Sequence, residues 1–431
     1  MCNQWDDRYF PRPANLNPFQ VDQNTGERIR DLKKSDINVN FNDIVFREIT
    51  LPLGKPKSAL SSNSDFSNLS SCKLIDGDSM LTNMSIGFPI PDNRLNPKEP
   101  INLQILPVDF SNVRATNSPI YDFGKVVSNM TKFWESQSSV GLKINVNMPS
   151  EYLNLDKTVD SFNLNLSLSN FQPDNYRNYV QYVIDQWSTK ISFKGINVIA
   201  VAVPPNISAS QIGTWVVDTQ AIFHTPSGNL YNTLITGNGS SITDLNSWTH
   251  EFGHTFGLTD MRFVDSSNLS IQRPEGLGIF DLMASERTAP ETIVWNRFLT
   301  GMIRDDQVHC ITNFDKSLHW ILPVEGNGSG LKGVVIPLSH TKAIVMESRR
   351  AVGYDSFLGT SSEGLLVYEV DTTIPYHQSP VHIISPEGSI DKDWNTDSAL
   401  HLNQFVVDSG WKITVIESGD FGDVVKVEKV T

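Results

Sequence analysis

The sequence predicts an α+β protein, in which a mixed, twisted sheet with packed helices is followed by an all-β, sandwich-like region. Between residues 99 and 312, apolar stretches of strand length alternate with stretches whose apolar residues recur at helical spacing. After residue 312 the helical periodicity disappears, and short apolar runs are broken by Gly, Ser, Asp and Pro. At 431 residues, the chain is long enough for two or three domains.

We therefore expect three parts in this chain. Residues 1–98 are rich in Asn, Ser, Asp and Pro and form an N-terminal segment of loops and short strands, which is a candidate pro-region. Residues 99–312 form the α+β domain. Residues 313–431 form a β-rich accessory domain.

The α+β domain begins with a strand over residues 101–108, which are almost all apolar. A helix follows over residues 121–137, because apolar side chains return there every three or four residues. Alternation over residues 142–148 predicts a second strand, and Pro173 opens a second helix, since proline suits the first helical turn. Residues 196–203 form a near-continuous apolar run, which is typical of a strand covered on both faces.

In the third part, the expected strands are short and separated by turn residues. They cover residues 333–337, 343–347, 364–370 and 411–415.

The charge balance narrows the class of protein. Lys and Arg number 34 against 48 Asp and Glu, so the formal net charge is −14. Nucleic-acid-binding proteins and partners of anionic membranes need a basic surface, so neither is expected. No stretch reaches the ~20 consecutive apolar residues of a membrane-spanning helix, and none is predicted. The first residues lack the basic and apolar regions of a signal peptide.

Cysteine is scarce, with three residues at positions 2, 72 and 310. An odd number leaves at least one cysteine without a partner in the chain. A Cys2–Cys72 disulfide is plausible in an oxidising compartment. The alternative is three isolated thiols.

Residues 247–260, which read SWTHEFGHTFGLTD, contain the candidate metal-binding and catalytic residues. On a helix, His250 and His254 are one turn apart, so both imidazoles leave the same face and can bind one ion. Two histidines at this spacing are typical of a zinc site. Glu251 follows the first histidine, so its carboxylate lies beside the metal. There it can take a proton from the attacking water and pass it to a leaving amine.

The residues after the second histidine predict a third ligand. Gly257 has no Cβ, so it can adopt a left-handed backbone that ends the helix abruptly. The chain can then turn back and bring Asp260 to the same ion. Two histidines and one carboxylate leave a position open for water, as in catalytic zinc sites. The alternative is a surface helix with two unrelated histidines and an incidental glutamate.

These residues carry a family resemblance. The segment HEFGHTFGLTD resembles the extended zinc motif of the metzincin metallopeptidases, with Asp260 where most of that clan has a third histidine. Residues 278–284, GIFDLMA, resemble the methionine turn of immune-inhibitor-A-like metallopeptidases, with Phe280 in place of the usual Trp. Weaker similarity extends over about residues 100–375.

The resemblance implies a metzincin-like catalytic domain over residues 99–312. It assigns His250, His254 and Asp260 to one catalytic zinc ion and Glu251 to the role of general base. Gly257 and Met283 are structural supports, since the methionine of this turn packs beneath the metal and does not ligate it.

The same resemblance implies a secreted zinc metalloendopeptidase whose protein or peptide substrates lie along an edge strand of the catalytic sheet. Calcium is common among related proteins, and residues 305–306 and 391–393 are candidate calcium ligands. Two alternatives remain open: a non-catalytic extracellular binding module with a structural zinc, and a zymogen that needs N-terminal cleavage. In the zymogen, Cys72 could hold the zinc as an inhibitory thiolate.

Overall fold

A computed structural model describes most of the chain. The described residues are 54–76, 83–164, 173–208, 211–212, 215–216, 220–235, 245–264, 272–273, 276–285, 290–326, 328–359, 361–375, 378–392 and 394–430. They form an α+β fold with four α-helices and several sheets, which confirms the predicted class. In this part of the chain, none of the helices is both long enough and apolar enough to span a membrane.

The first half alternates strands with two helices. Its elements are β1 (Ile101–Asp109), α1 (Pro119–Ser136), β2 (Ile144–Asn147), β3 (Leu153–Asn154), α2 (Pro173–Ser188), β4 (Val198–Ala202), β5 (Trp215–Val216), β6 (Phe223–Thr225), β7 (Gly228–Leu230) and β8 (Thr233–Ile235). A six-stranded sheet has the order β2-β1-β4-β8-β5, and β3 also pairs with β1. All its pairs are parallel except β5 with β8, so β5 is an antiparallel edge strand.

Helices cover both faces of this sheet. The side chains of β4 alternate between two cores, as the apolar run over residues 196–203 predicts: Ala200 packs with α1, and Val201 packs with α2. The face that carries α1 also carries α3 (Leu245–Thr255). The predicted strand over residues 142–148 is shorter in the structure, where β2 spans residues 144–147. It lies at the edge of the sheet opposite β5, and its Val146 side chain is exposed.

Helix α1 begins where its sequence provides a cap. The hydroxyl of Ser118 accepts a hydrogen bond from the Tyr121 amide, and Pro119 occupies the first helical position, where a missing N–H costs nothing. Its buried face includes Phe123 and Trp134, and the indole of Trp134 donates to the carbonyl oxygen of Thr249 in α3 (2.9 Å). Helix α1 is therefore fixed against the helix that carries the histidines.

After α3, the chain forms two short strands, β9 (Phe263–Val264) and β10 (Gln272–Arg273), and the short helix α4 (Val294–Thr300). The remaining elements are strands. They are β11 (Val308–Cys310), β12 (Lys316–Ile321), β13 (Gly333–Pro337), β14 (Lys342–Arg349), β15 (Gly364–Asp371), β16 (Val381–Ile383), β17 (Phe405–Asp408), β18 (Trp411–Gly419) and β19 (Gly422–Lys429).

These strands form two sheets that share a core. The five-stranded sheet has the order β11-β13-β14-β15-β16, and the four-stranded sheet has the order β12-β19-β18-β17. Residues of β14 alternate between two environments. Ile344 faces the core shared with the four-stranded sheet, and Val345 faces the core that contains α1, α3 and α4. The five-stranded sheet thus packs against helices α1, α3 and α4.

The described part of the N-terminal segment belongs to these same cores. Leu74, Ile86 and Leu95 are buried with α1 and α3, and Phe66 is buried between the strands that follow residue 307. The amide of Leu95 donates to the carbonyl oxygen of Thr255, the last residue of α3 (2.9 Å).

The predicted Cys2–Cys72 disulfide is wrong, and so is the alternative of three isolated thiols. Cys72 is bonded to Cys310, 238 residues away. The sheet register explains this pairing, because Cys310 lies opposite Val335 on the neighbouring strand, and the sulfur of Cys72 lies 3.5 Å from the carbonyl oxygen of Val335. The bond also removes Cys72 as a candidate thiolate ligand. Cys2 lies outside the described residues.

Candidate metal centre

Helix α3 and the turn that follows it bring the predicted ligands together. His250, Glu251 and His254 lie on α3, which ends at Thr255. Gly257 has a φ of +88°, a left-handed backbone conformation that residues with a Cβ adopt only under strain. Its amide donates to the carbonyl oxygen of His254 (2.9 Å). The chain reverses there and places Asp260 next to the two histidines.

The three donor groups are close enough to share one cation. The Nε2 atoms of His250 and His254 lie 3.0 and 3.9 Å from Oδ1 of Asp260. One donor atom from each residue lies within 4.8 Å of the others, and all three side chains are buried. Among the residues that the structure describes, this is the one group of three or more His, Cys, Asp or Glu side chains with such geometry.

Hydrogen bonds to the backbone orient both imidazoles. Nδ1 of His250 lies 3.1 Å from the carbonyl oxygen of Leu282, and Nδ1 of His254 lies 2.8 Å from that of Leu258. A carbonyl oxygen only accepts, so each Nδ1 carries the proton and each Nε2 presents a lone pair towards Asp260. Burial lowers the pKa of His254, which favours the neutral imidazole that binds metals.

Two further charged side chains border the donor group. The Glu251 carboxylate is buried, with Oε2 4.0 Å from Nε2 of His254. The buried guanidinium of Arg262 lies 3.1 Å from Oδ1 of Asp260, measured from Nη2. A carboxylate oxygen has two lone pairs, so Oδ1 can accept from Arg262 and still offer a lone pair to a cation. The sequence reasoning missed Arg262, two residues after the motif.

The segment over residues 276–285, here called the methionine turn, packs against α3 at Gly253. A Cβ added to Gly253 would lie 2.7 Å from the sulfur of Met283, so glycine allows that side chain to approach the helix backbone. Met283 is fully buried, and its carbonyl oxygen accepts a hydrogen bond from the Met261 amide (3.0 Å). It therefore supports both α3 and the segment that carries Asp260.

Asp281 ties the methionine turn to the start of α4. Its carboxylate accepts from the amides of Met283 (2.6 Å) and Ile293 (2.7 Å) and from the side-chain amide of Asn296 (3.0 Å). Complete burial raises the pKa of Asp281 to about 6. The sequence alone assigns no role to this residue, which is part of the GIFDLMA motif. An acidic residue inside an otherwise apolar run was the signal that could have identified it.

The candidate calcium ligands lie in other surroundings. Asp305 is 3.7 Å from Lys73, and Asp306 is 2.9 Å from Arg304. The carboxylate of Asp391 accepts from the amides of Trp394 and Thr396. Asp393 lies outside the described residues, and calcium binding stays a prediction.

No protein-family model matches the chain, and a search of curated proteins finds no match.

Proposed function

We propose that this protein is a zinc-dependent endopeptidase of the metzincin type, similar to the immune-inhibitor-A-like metallopeptidases. One observation carries the proposal. A buried set of two imidazoles and one carboxylate converges on one point, with the carboxylate of Glu251 on the same helix.

The donor set fits zinc. Imidazole nitrogen and carboxylate oxygen are its common ligands, and three protein ligands with one open position are typical of catalytic zinc. Both histidines are held through Nδ1 by backbone carbonyl groups, the second hydrogen bond that zinc-binding histidines usually make. When bound, zinc would supply Lewis acidity, which polarises a scissile carbonyl group and lowers the pKa of water.

The residues of the chain would then do the proton transfer. Glu251 accepts the proton of the attacking water on its carboxylate and donates it to the amine that leaves as the peptide bond breaks. Its burial keeps this carboxylate away from bulk water. Arg262 and the backbone carbonyl partners of the histidines hold the ligands in place while the proton moves.

Strand β5 is the candidate substrate-binding edge. It is antiparallel to β8, it contacts α3, and no described strand pairs with its other side. An extended peptide can hydrogen-bond to the outer backbone groups of such an edge and lie beside α3. This arrangement favours protein or peptide substrates.

The remaining architecture supports the same proposal. A mixed sheet with helices on both faces fits a metzincin-like catalytic domain, and two sheets that share a core fit a sandwich-like C-terminal domain. The Cys72–Cys310 disulfide is compatible with an oxidising, extracellular location, which we propose for this protein.

The two alternatives are less well supported. A structural zinc site needs no general base, yet Glu251 is buried beside the ligands. A zymogen cut at residue 98 would lose Leu74, Ile86 and Leu95 from the core around α1 and α3.

The Glu251→Gln variant tests the proposal, because glutamine keeps the size of the side chain and cannot accept the proton. We expect one zinc per chain in wild type and variant, with casein cleavage lowered at least about a hundredfold in the variant. Glu151→Gln, at an exposed position of the same region, is the matched control and should cleave like wild type. A wild-type protein without zinc, or with zinc and no cleavage even after mild proteolysis of its N-terminal segment, would refute the peptidase.

A further inference from the structure

We infer that Arg349, on the last position of β14, is a positioning residue for the metal centre. The side chain of Arg349 holds the backbone of the methionine turn, and the methionine turn in turn positions the metal ligands. The inference rests on the proposed function, because it assigns the C-terminal sheet a part in forming the zinc site.

The guanidinium of Arg349 is fully buried and has a partner on each nitrogen. Nη2 donates to the carbonyl oxygen of Phe280 in the methionine turn (2.7 Å). Nη1 donates to Asp355 (2.6 Å), and Nε donates to Glu347 (2.7 Å). Only the planar, forked guanidinium can satisfy three acceptors in such fixed directions, so lysine cannot replace it here without losing contacts.

The two carboxylates that hold Arg349 also hold the far end of the same segment. The second oxygen of Glu347 accepts from the Val294 amide (2.6 Å), and the second oxygen of Asp355 accepts from the Glu291 amide (2.9 Å). Between those two positions, the Ile293 amide donates back to Asp281 of the methionine turn. Arg349 and its two carboxylate partners thus hold the methionine turn at Phe280 and the start of α4 at Glu291 and Val294.

The methionine turn in turn contacts one of the three predicted ligands directly and the chain neighbour of a second. The carbonyl oxygen of Leu282, two residues after Phe280, accepts from Nδ1 of His250 (3.1 Å). The carbonyl oxygen of Met283 accepts from the amide of Met261, the residue after Asp260. A displacement of this turn therefore reorients His250 and shifts Asp260, whereas His254 is held by Leu258 within its own loop.

Other parts of the C-terminal region contact the beginning of the methionine turn. The amide of Ile383 donates to the carbonyl oxygen of Gly276 (3.0 Å), and the amide of Ile279 donates to that of Trp394 (3.2 Å). A Cβ on Gly278 would overlap the carbonyl oxygen of Trp394, so the two backbones are in direct contact. The C-terminal region thus supports the metal centre from the side opposite the first sheet.

Arg350 offers a matched control. It is also buried and paired with a carboxylate, but the described acceptors of its guanidinium include Asp423, at 3.0 Å, and the carbonyl oxygens of Arg349, Gly419 and Gly422. None of its described contacts reaches the methionine turn. Substitution of either arginine costs folding stability, and only Arg349 is expected to affect the metal.

The test compares the zinc affinities of Arg349→Lys and Arg350→Lys by competition with a chromophoric chelator. The measurement is made at a temperature well below the unfolding temperature of each variant. We expect zinc to bind about tenfold or more weakly to Arg349→Lys and as in wild type to Arg350→Lys. Equal zinc affinity in the two variants would overturn this inference alone. Absence of zinc binding in wild type would overturn the proposed function and, with it, this inference.

A second measurement needs no variant and decides the matter if Arg349→Lys does not fold. Zinc binding should slow amide hydrogen exchange in the wild type at Met283, and also at Glu291 and Val294, whose amides are bound by the partners of Arg349. Protection that stops at α3 and its following loop would overturn the inference.

Discussion

Nδ1 of His250 lies 3.1 Å from the carbonyl oxygen of Leu282, a residue 32 positions further along the chain. This hydrogen bond joins the helix that carries the first proposed ligand to the methionine turn. It fixes the tautomer of the imidazole and the direction of its Nε2 lone pair, so the site is oriented before any ion binds. The methionine turn is therefore a support for ligand geometry as well as for packing.

Gly253 should be intolerant of substitution. In Gly253→Ala, the new Cβ would lie 2.7 Å from the sulfur of Met283 and 3.0 Å from the buried ring of Trp134, so the methionine turn or α1 must shift. We expect a loss of about 1–3 kcal/mol in the free energy of unfolding and weaker zinc binding. Urea denaturation and zinc titration measure the two effects.

Gly124→Ala is the control for that substitution, since Gly124 also lies within a helix. There a Cβ meets only the exposed and flexible side chain of Ile120, so alanine should be neutral or stabilise the helix by up to about 1 kcal/mol. If Gly253→Ala behaved like Gly124→Ala, Met283 would not be packed against α3.

Acid should destabilise the protein through a buried pair of histidines. Nδ1 of His309 lies 2.9 Å from Nδ1 of His319, so one nitrogen donates and the other accepts. Burial lowers the pKa of His309 to about 4 and that of His319 to about 3. The unfolded chain, with histidine pKa values near 6.5, then binds more protons than the folded protein, and stability falls as the pH drops below about 6.5.

The size of the effect can be isolated with His319→Gln. Between pH 7 and pH 5, each buried histidine contributes a loss of about 2 kcal/mol, so the variant should lose about that much less than wild type over this interval. His340→Gln, at an exposed position, should follow the wild-type pH dependence. Urea denaturation at each pH gives the free energy of unfolding as a function of pH. If this free energy fell equally with pH in wild type and His319→Gln, the histidine pair would not titrate as described.

Peptide mapping should find the disulfide that joins the N-terminal segment to the five-stranded sheet. Digestion without reductant, after alkylation of free thiols, should release one cross-linked peptide that contains Cys72 and Cys310. The double variant Cys72→Ala/Cys310→Ala should lose roughly 2–5 kcal/mol of unfolding free energy. A cross-linked peptide that contains Cys2 and Cys72 would contradict the described pairing.

The sequence predicts those features that depend on neighbouring residues. Helical spacing placed His250 and His254 on one face, and the glycine at position 257 indicated the end of α3. The apolar run over residues 196–203 indicated a strand buried on both faces, and β4 is one. In each case the physical cause lies within a few residues of the feature.

Features set by distant pairing could not be predicted in this way. Cys72 meets Cys310 because the short helical turn over residues 70–72 packs against β13, the strand that pairs with β11. Arg349 contacts Phe280 across 69 positions, and no local pattern distinguishes it from Arg350 beside it. Such contacts follow from how the sheets stack, which periodicity and motif spacing do not specify.

Diffraction at the zinc absorption edge tests the proposed metal centre most directly. Crystals of the protein grown with zinc should show one strong anomalous peak at about 2.0–2.2 Å from Nε2 of His250, Nε2 of His254 and an oxygen of Asp260. Crystals of His254→Ala grown in the same way should lack that peak. A peak elsewhere, or none at these three side chains in the wild-type protein, would contradict the zinc site and the peptidase mechanism that depends on it.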